Sequence, residues 1–129
     1  MVLIEVVTLL ALLQYWYFVL LVGRARGKYG LQAPAVTGNQ MFERYYRVQM
    51  NTMEQLILFL PSLWLAARYW PQAYVAATGA LFLLARFLYL FANLKNPEKR
   101  IAAFAMTVSV SLSLIVAAAV GMLRNAGSF

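Results

Sequence analysis

The sequence predicts an all-α integral membrane protein that folds as a four-helix transmembrane bundle. Of its 129 residues, 64% are hydrophobic and 12% are charged, which is about half the charged share of a soluble domain. The hydrophobic residues form four long runs in what we expect to be a single domain, near residues 2–22, 42–70, 72–94 and 97–123. Backbone groups in hydrocarbon must form hydrogen bonds within their own segment, so runs this long are predicted to be helices.

The first run, residues 2–22, contains one charged residue, Glu5, near its end. At a rise of about 1.5 Å per residue it spans the roughly 30 Å of a hydrocarbon core. A cleaved signal peptide is the alternative, but its positively charged n-region is missing because Glu5 precedes every Arg and Lys. The segment from Arg24 to Gln40 contains Gly, Pro, Asn and three cations, which predicts a loop.

The later runs have recognisable ends. The second ends near Trp70, because Pro71 prevents a simple continuation of the helix. The third contains one charged residue, Arg86. The connection to the fourth reads NPEKR, in which Asn96 is a preferred N-cap residue and the proline occupies the first helical position. Arg100 is therefore predicted in the first turn of the fourth helix.

The positive charge is concentrated on one side of the predicted membrane. The chain has 11 Lys and Arg against 4 Asp and Glu, and eight of the cations lie in residues 24–47 and 95–100. Only Arg68 and Arg124 lie on the other side. The positive-inside rule places both basic connections in the cytoplasm and both termini on the opposite side. Because the charge follows a membrane boundary and no nucleic-acid motif is present, we expect membrane lipids as partners and no nucleic acid.

The composition excludes several kinds of site. The chain has no Cys and no His, so thiolate and imidazole metal sites, Cys nucleophiles and catalysis by a His base are excluded. No metal site is expected, and any thiol chemistry must use the thiol of another molecule.

Polar side chains recur on one face of two helices, as steps of three and four residues predict. On the second helix they are Arg47, Asn51 and Glu54. On the third they are Arg86, Tyr89 and Asn93. Ionisable residues at membrane depth need a partner or a water-filled cavity. Two interpretations stay open: a structural pair, such as Glu54 with Arg86, or a cavity that binds a ligand.

The fourth helix carries two further patterns. A guanidinium at a helix N-terminus, such as Arg100, favours an anion site, although a Lys-Arg pair at a membrane boundary is also typical of a snorkelling anchor. Small residues recur at steps of four, at Ala105, Ser109, Ser113, Ala117 and Gly121. This stripe favours close helix packing over a polar conduit.

The segment from Glu43 to Glu54, ERYYRVQMNTME, followed by LFLPSLW, resembles the signature of the MAPEG family of membrane-associated proteins in eicosanoid and glutathione metabolism. With the four runs and the later Arg86, Tyr89 and Arg100, the resemblance extends over nearly the whole chain. It implies a left-handed four-helix bundle that forms a homotrimer. It also implies glutathione as cosubstrate, bound at each subunit interface near the cytosolic face.

The resemblance to the microsomal glutathione transferase and leukotriene C synthase branches also implies roles for single residues. The helix-two residues that would bind glutathione are Arg47, Asn51 and Glu54. Those that would assist are Gln49, Arg26, Arg86 and Tyr89. Arg100 matches the catalytic arginine that holds the glutathione thiol as a thiolate. The implied function is conjugation of glutathione to a lipophilic electrophile, or peroxide reduction, with the acceptor entering between helices near Tyr15, Phe59 or Leu63.

Some residues depart from the family pattern. Gln55 and Asn93 stand where the leukotriene C synthase type has Tyr, and Gly27 replaces a second Arg after Arg26, so weaker glutathione binding is expected. A lipid-binding scaffold, resembling the five-lipoxygenase-activating member of the family, is the alternative function, but it has no need of the polar set. A channel would need a continuous polar path, and the first run offers only Gln14 at depth.

Overall fold

The computed structural model describes residues 1–127 and consists of four long helices in up-down-up-down order. They are α1 (Val2–Tyr29), α2 (Gln40–Ala67), α3 (Gln72–Lys95) and α4 (Arg100–Ala126). A 3-10 turn, Pro97–Lys99, leads into α4, and the described residues contain no strand. The helices α2 and α3 form the central pair, because α1 and α4 each pack against both of them and make no contact with one another within the described chain.

The predicted fold class is confirmed. By length and composition, three helices are able to cross a membrane: α1, α3 and α4 with its preceding turn. The remaining helix, α2, has 28 residues, about 42 Å at 1.5 Å per residue. Its first half is polar, which lowers its hydropathy, while the half after Glu54 has no charge. The bundle therefore has one helix, α2, with a polar first half and an apolar second half.

The helix α1 differs from the prediction, because it continues through the segment Arg24–Tyr29 that the sequence predicts as loop. Val22 and Ala25 are buried against Phe42 of α2, and this packing keeps the segment helical despite its glycine. The helix ends at Gly30, which adopts a left-handed conformation with φ of 70° and bonds back to the Arg26 carbonyl. A glycine in this conformation is a common helix C-terminus.

The helix α2 begins and ends slightly earlier than predicted. Its N-cap is Asn39, whose side chain accepts a hydrogen bond from the Phe42 amide at 3.0 Å. Near the internal Pro61, the Ser62 hydroxyl donates to the Leu58 and Phe59 carbonyls. The helix continues through Pro61 to Ala67, so its polar and apolar halves belong to one helix.

The small-residue stripe of α4 packs within the chain only at its far end. Ala105, Ser109 and Ser113 are exposed. Gly121 is buried, and a Cβ at this position would overlap the Cβ of Tyr69. Close packing in the single chain therefore explains Gly121 and leaves the first part of the stripe exposed.

Candidate functional site

The antiparallel order of the helices brings both basic connections to one end of the bundle. This basic end is formed by the C-termini of α1 and α3 and the N-termini of α2 and α4. Arg68 and Arg124 lie at the other end, at the C-termini of α2 and α4. Most of the positive charge therefore lies at one end of the folded molecule.

A cleft of about 270 Å³ opens at the basic end, between the start of α2, the end of α3 and the start of α4. We call it the basic cleft, and its lining residues are Gln40, Glu43, Arg44, Arg47, Asn93, Pro97 and Arg100. Three guanidinium groups and one carboxylate give it an excess of positive charge. Such a cleft suits an anionic ligand, because guanidinium groups form paired, charge-assisted hydrogen bonds with carboxylates.

Two of the cleft arginines are available to a ligand. Arg44 is held in place, since its Nη1 donates to the Leu94 carbonyl at 3.4 Å. Arg47 is exposed and Arg100 is half-buried, and neither has a hydrogen-bond or ion-pair partner within residues 1–127. The cleft therefore presents two guanidinium groups, from α2 and α4, whose donors are open.

Arg100 is the first residue of α4, so it lies in the first turn, as the sequence predicts. The preceding turn starts after Asn96, whose carbonyl accepts from the Lys99 amide at 3.0 Å. A helix N-terminus carries partial positive charge from its unpaired N–H groups. The Arg100 side chain adds a full charge at the same place, so an anion in the cleft would experience both.

A second polar layer lies below the cleft, one helical turn or about 6 Å deeper than Arg47. Arg86 is completely buried, and its Nη2 donates to Asn51 Oδ1 at 2.7 Å. The guanidinium carbon also lies 4.4 Å from the centroid of the Tyr89 ring. Within the described chain, Arg86 Nε and Nη1 have no hydrogen-bond partner. The layer therefore holds a buried charge with a single amide partner.

The structural pair of Glu54 with Arg86 is not formed in the described chain. Glu54 is exposed on the surface of α2, one turn beyond Asn51 and further from the basic cleft. Asn51 takes the position opposite Arg86 instead, because the facing surfaces of α2 and α3 meet at Asn51. The carboxylate of Glu54 is thus left on the outside of the single chain.

Two predicted residues lie outside both layers. Gln49 points to α1, where its Nε2 donates to the Tyr15 hydroxyl at 3.3 Å. Arg26 holds the connection between α1 and α2, because its Nη1 donates to the Ala35 carbonyl at 2.7 Å and its guanidinium lies 4.8 Å from the centroid of the Phe42 ring. In a single chain, therefore, only Arg47 and Arg100 share the cleft, while Asn51, Arg86 and Tyr89 share the layer beneath it.

The basic cleft also contains residues for which the sequence predicts no role. These are Gln40, Glu43, Arg44 and Asn93. The position of the first three is predictable from the sequence, since they continue the polar face of Arg47 and Asn51 toward the start of α2 at steps of three and four. Asn93 was recognised as part of a polar stripe without an assigned contact.

The predicted entry for a lipophilic acceptor does not match the single chain. Phe59 and Leu63 are both 0% exposed, and the Phe59 ring stacks on Phe82 with centroids 3.8 Å apart. These residues form the centre of the core, so neither faces the bilayer. Within the described residues, no group of three or more His, Cys, Asp and Glu side chains is placed to hold a metal ion.

Known proteins resemble the chain over nearly its whole length. A family model described as the MAPEG family matches residues 3–120. The uncharacterized protein sll1147 of Synechocystis sp. is 47% identical over 117 residues, covering 91% of this chain and 85% of the relative. Microsomal glutathione S-transferase 2 of Mus musculus is 38% identical over 120 residues, covering 93% and 82%. Leukotriene C4 synthase of Cavia porcellus is 34% identical over 123 residues, covering 95% and 82%.

Proposed function

The chain belongs to the MAPEG family, and we propose that it is a membrane glutathione transferase whose basic cleft binds the anionic tripeptide. The observation that carries this proposal is the pair of open guanidinium groups, Arg47 and Arg100, on two sides of one cleft. Glutathione is a net anion with two carboxylates, so it complements a cleft with more Arg than Glu. Two relatives are named as enzymes that use glutathione or make leukotriene C4, which supports the same assignment.

In this proposal Arg47 binds a carboxylate of glutathione at the mouth of the cleft. Asn51 supplies amide contacts one turn deeper, where Arg86 fixes its side chain through the 2.7 Å hydrogen bond. Arg86 also supplies positive charge near the ligand, since two of its nitrogens have no partner in the described chain. Tyr89 packs under the same guanidinium. A scaffold without catalysis would have no need of the buried charge of Arg86 beneath a cleft with two open guanidinium groups.

Arg100 is proposed as the catalytic residue. A thiol with a pKa of about 8.5 is mostly protonated at neutral pH, and the thiolate is the nucleophile. A guanidinium at the start of α4 would stabilise the thiolate through its own charge and through the helix N-terminus. Lowering the thiol pKa by about 1.5 units needs roughly 2 kcal/mol, which charge-assisted hydrogen bonds are able to supply.

The thiolate then attacks an electrophilic, lipophilic acceptor. With an aryl halide, a new sulfur–carbon bond forms and the halide leaves with its electron pair. With an unsaturated aldehyde, sulfur adds to the β-carbon and the resulting enolate takes a proton from water. In peroxide reduction the thiolate attacks the terminal oxygen, the O–O bond breaks, and the alkoxide leaves with the electron pair and takes a proton from water. The sulfur becomes a sulfenic acid, which a second glutathione converts to the disulfide and water. The long apolar helices give such acceptors access from the bilayer.

A homotrimer would complete the site. Gln49 and Arg26 lie away from the basic cleft of their own chain, and Glu54 is exposed. The family resemblance implies that glutathione binds between subunits, so we propose that Arg26 and Gln49 of one subunit approach the cleft of its neighbour. Glu54 then faces the same ligand, where its carboxylate would accept from the tripeptide's ammonium group.

The protein is an integral membrane protein, and we propose that the basic end faces the cytoplasm, because positively charged connections are retained there. This orientation gives the cleft access to cytosolic glutathione and leaves both termini on the opposite side.

A glutathione titration of the purified protein in detergent tests the proposed function. We expect saturable binding by calorimetry, and a dissociation constant about tenfold higher in Arg47→Gln, because a hydrogen bond to a charged group contributes roughly 1.5 to 3 kcal/mol. Arg24→Gln is the matched control, since Arg24 is an exposed cation of the basic end outside the cleft. Absence of saturable binding at millimolar glutathione would refute the proposal.

A further inference from the structure

A second, larger groove lies on the other side of the seam between α3 and α4. It has a volume of about 590 Å³ and runs along the last two turns of α3 and the first two turns of α4. Its floor is made of alanines, including Ala92 and Ala103, and its walls include Leu88, Phe91 and Met106. We call it the lysine groove, because Lys95 and Lys99 lie at its mouth. It shares no residue with the basic cleft.

The groove opens toward the bilayer. Leu88 and Phe91 are 44% and 52% exposed, and both belong to a helix that is long and apolar enough to span a membrane. The distance along α3 from Leu88 to Lys95 is about 10 Å at 1.5 Å per residue, so the lysines stand about two turns nearer to the membrane surface than the apolar end. An empty groove would forfeit dispersion contacts along its lining. A hydrocarbon chain therefore fits the apolar part of the groove, away from the two lysines.

The mouth of the groove carries positive charge. Lys95 and Lys99 are exposed, and neither has a hydrogen-bond or ion-pair partner among residues 1–127. The nearby carboxylate of Glu98 is not part of the lining. Two open ammonium groups above an apolar groove match a phosphate attached to an acyl chain. A lone snorkelling lysine would need no groove beneath it.

We propose that the lysine groove is a binding site for an anionic phospholipid, with one acyl chain against the alanine floor and the phosphate between Lys95 and Lys99. This inference is independent of the proposed function, because none of these residues lines the basic cleft. Each Lys near an anionic membrane surface is worth about fivefold in affinity, so the pair should prefer an anionic to a zwitterionic lipid by roughly tenfold or more.

The test is native mass spectrometry of the full-length protein in mixed micelles with phosphatidylglycerol or phosphatidylcholine of identical acyl chains. We expect preferential retention of phosphatidylglycerol. The double variant Lys95→Gln with Lys99→Gln should lose at least fivefold of this retention. Ala102→Trp, which fills the groove from an exposed position, should lose retention without removing a charge.

Two control variants separate a built site from general effects. Lys28→Gln removes an exposed cation of the same end outside the groove. Leu112→Trp places the same indole side chain at an exposed position of α4 outside the groove. Both should retain phosphatidylglycerol like the parent protein, with unchanged circular dichroism in all variants.

Three results would overturn the proposal. Equal retention of the two lipids would show that the mouth does not select charge. An equal loss in Lys28→Gln would reduce the effect to general electrostatics. Unchanged lipid retention in Ala102→Trp together with a smaller oligomer would show that a second copy of the chain covers the groove.

Discussion

The hydrogen bond between Arg86 and Asn51 gives a prediction whose size follows from the structure. Arg86 is completely buried at membrane depth, and Asn51 is its one hydrogen-bond partner in the described chain. Asn51→Leu would leave the whole guanidinium without a hydrogen bond. Hydrogen bonds to charged groups contribute about 1.5 to 3 kcal/mol, whereas interhelical bonds in membranes reach about 1.7 kcal/mol. We therefore expect a coupling energy of about 1.5 kcal/mol.

The assay is a double-mutant cycle with Asn51→Leu, Arg86→Met and the double variant. The free energy of unfolding is measured by titration of mixed micelles with dodecyl sulfate, followed by circular dichroism. Asn51→Leu alone should destabilise the protein. Arg86→Met alone should change stability little or raise it, because it also removes a charge that costs about 2.5 to 3.5 kcal/mol at membrane depth. The double variant should therefore recover most of the stability lost in Asn51→Leu.

The control pairs Asn51→Leu with Arg68→Met. Arg68 is exposed at the opposite end of α2, and distant substitutions add to within about 0.5 kcal/mol. The coupling energy between Asn51 and Arg86 should exceed this control value. A value no larger than the control would show that the two side chains do not stabilise each other.

Two further predictions concern the position of the protein in the membrane and its assembly. The chain has no Cys, so a single-Cys variant at Gly38 should escape labelling by an impermeant reagent applied to the outside of intact cells; labelling there would contradict a cytoplasmic basic end. Native mass spectrometry in detergent should show a trimer, and a monomer or dimer as the sole species would contradict a site shared between subunits.

The sequence predicted where the candidate residues lie along single helices. Periodicity placed Arg47 and Asn51 on one face of α2, and the NPEKR segment placed Arg100 at the start of α4. Charge counting predicted that the basic connections meet at one end. These placements agree with the structure because helical spacing and the proline that starts a helix are local properties that the residue order determines directly.

The parts that failed depend on how helices meet. Spacing along α2 could not decide whether Asn51 or Glu54 would face Arg86, because this depends on the rotation of α2 against α3. For the same reason Phe59 appeared as a lipid-facing residue, although it stacks on Phe82 in the core. The segment Arg24–Tyr29 was predicted as loop because the contact of Ala25 with Phe42 is not visible in the local sequence.

Arg100 is proposed to stabilise the glutathione thiolate, and the ultraviolet absorption of the thiolate in the complex reports on this stabilisation. We expect the parent protein to show the thiolate signal and conjugation of a model aryl halide. Arg100→Ala should bind glutathione within a few fold of the parent protein, lose the thiolate signal and lose most turnover. Arg100→Lys separates charge from shape: partial activity would favour electrostatics, and no activity would favour the planar geometry of the guanidinium. The exposed Arg24→Ala should behave like the parent protein. Full thiolate formation and full turnover in Arg100→Ala would show that Arg100 does not stabilise the thiolate.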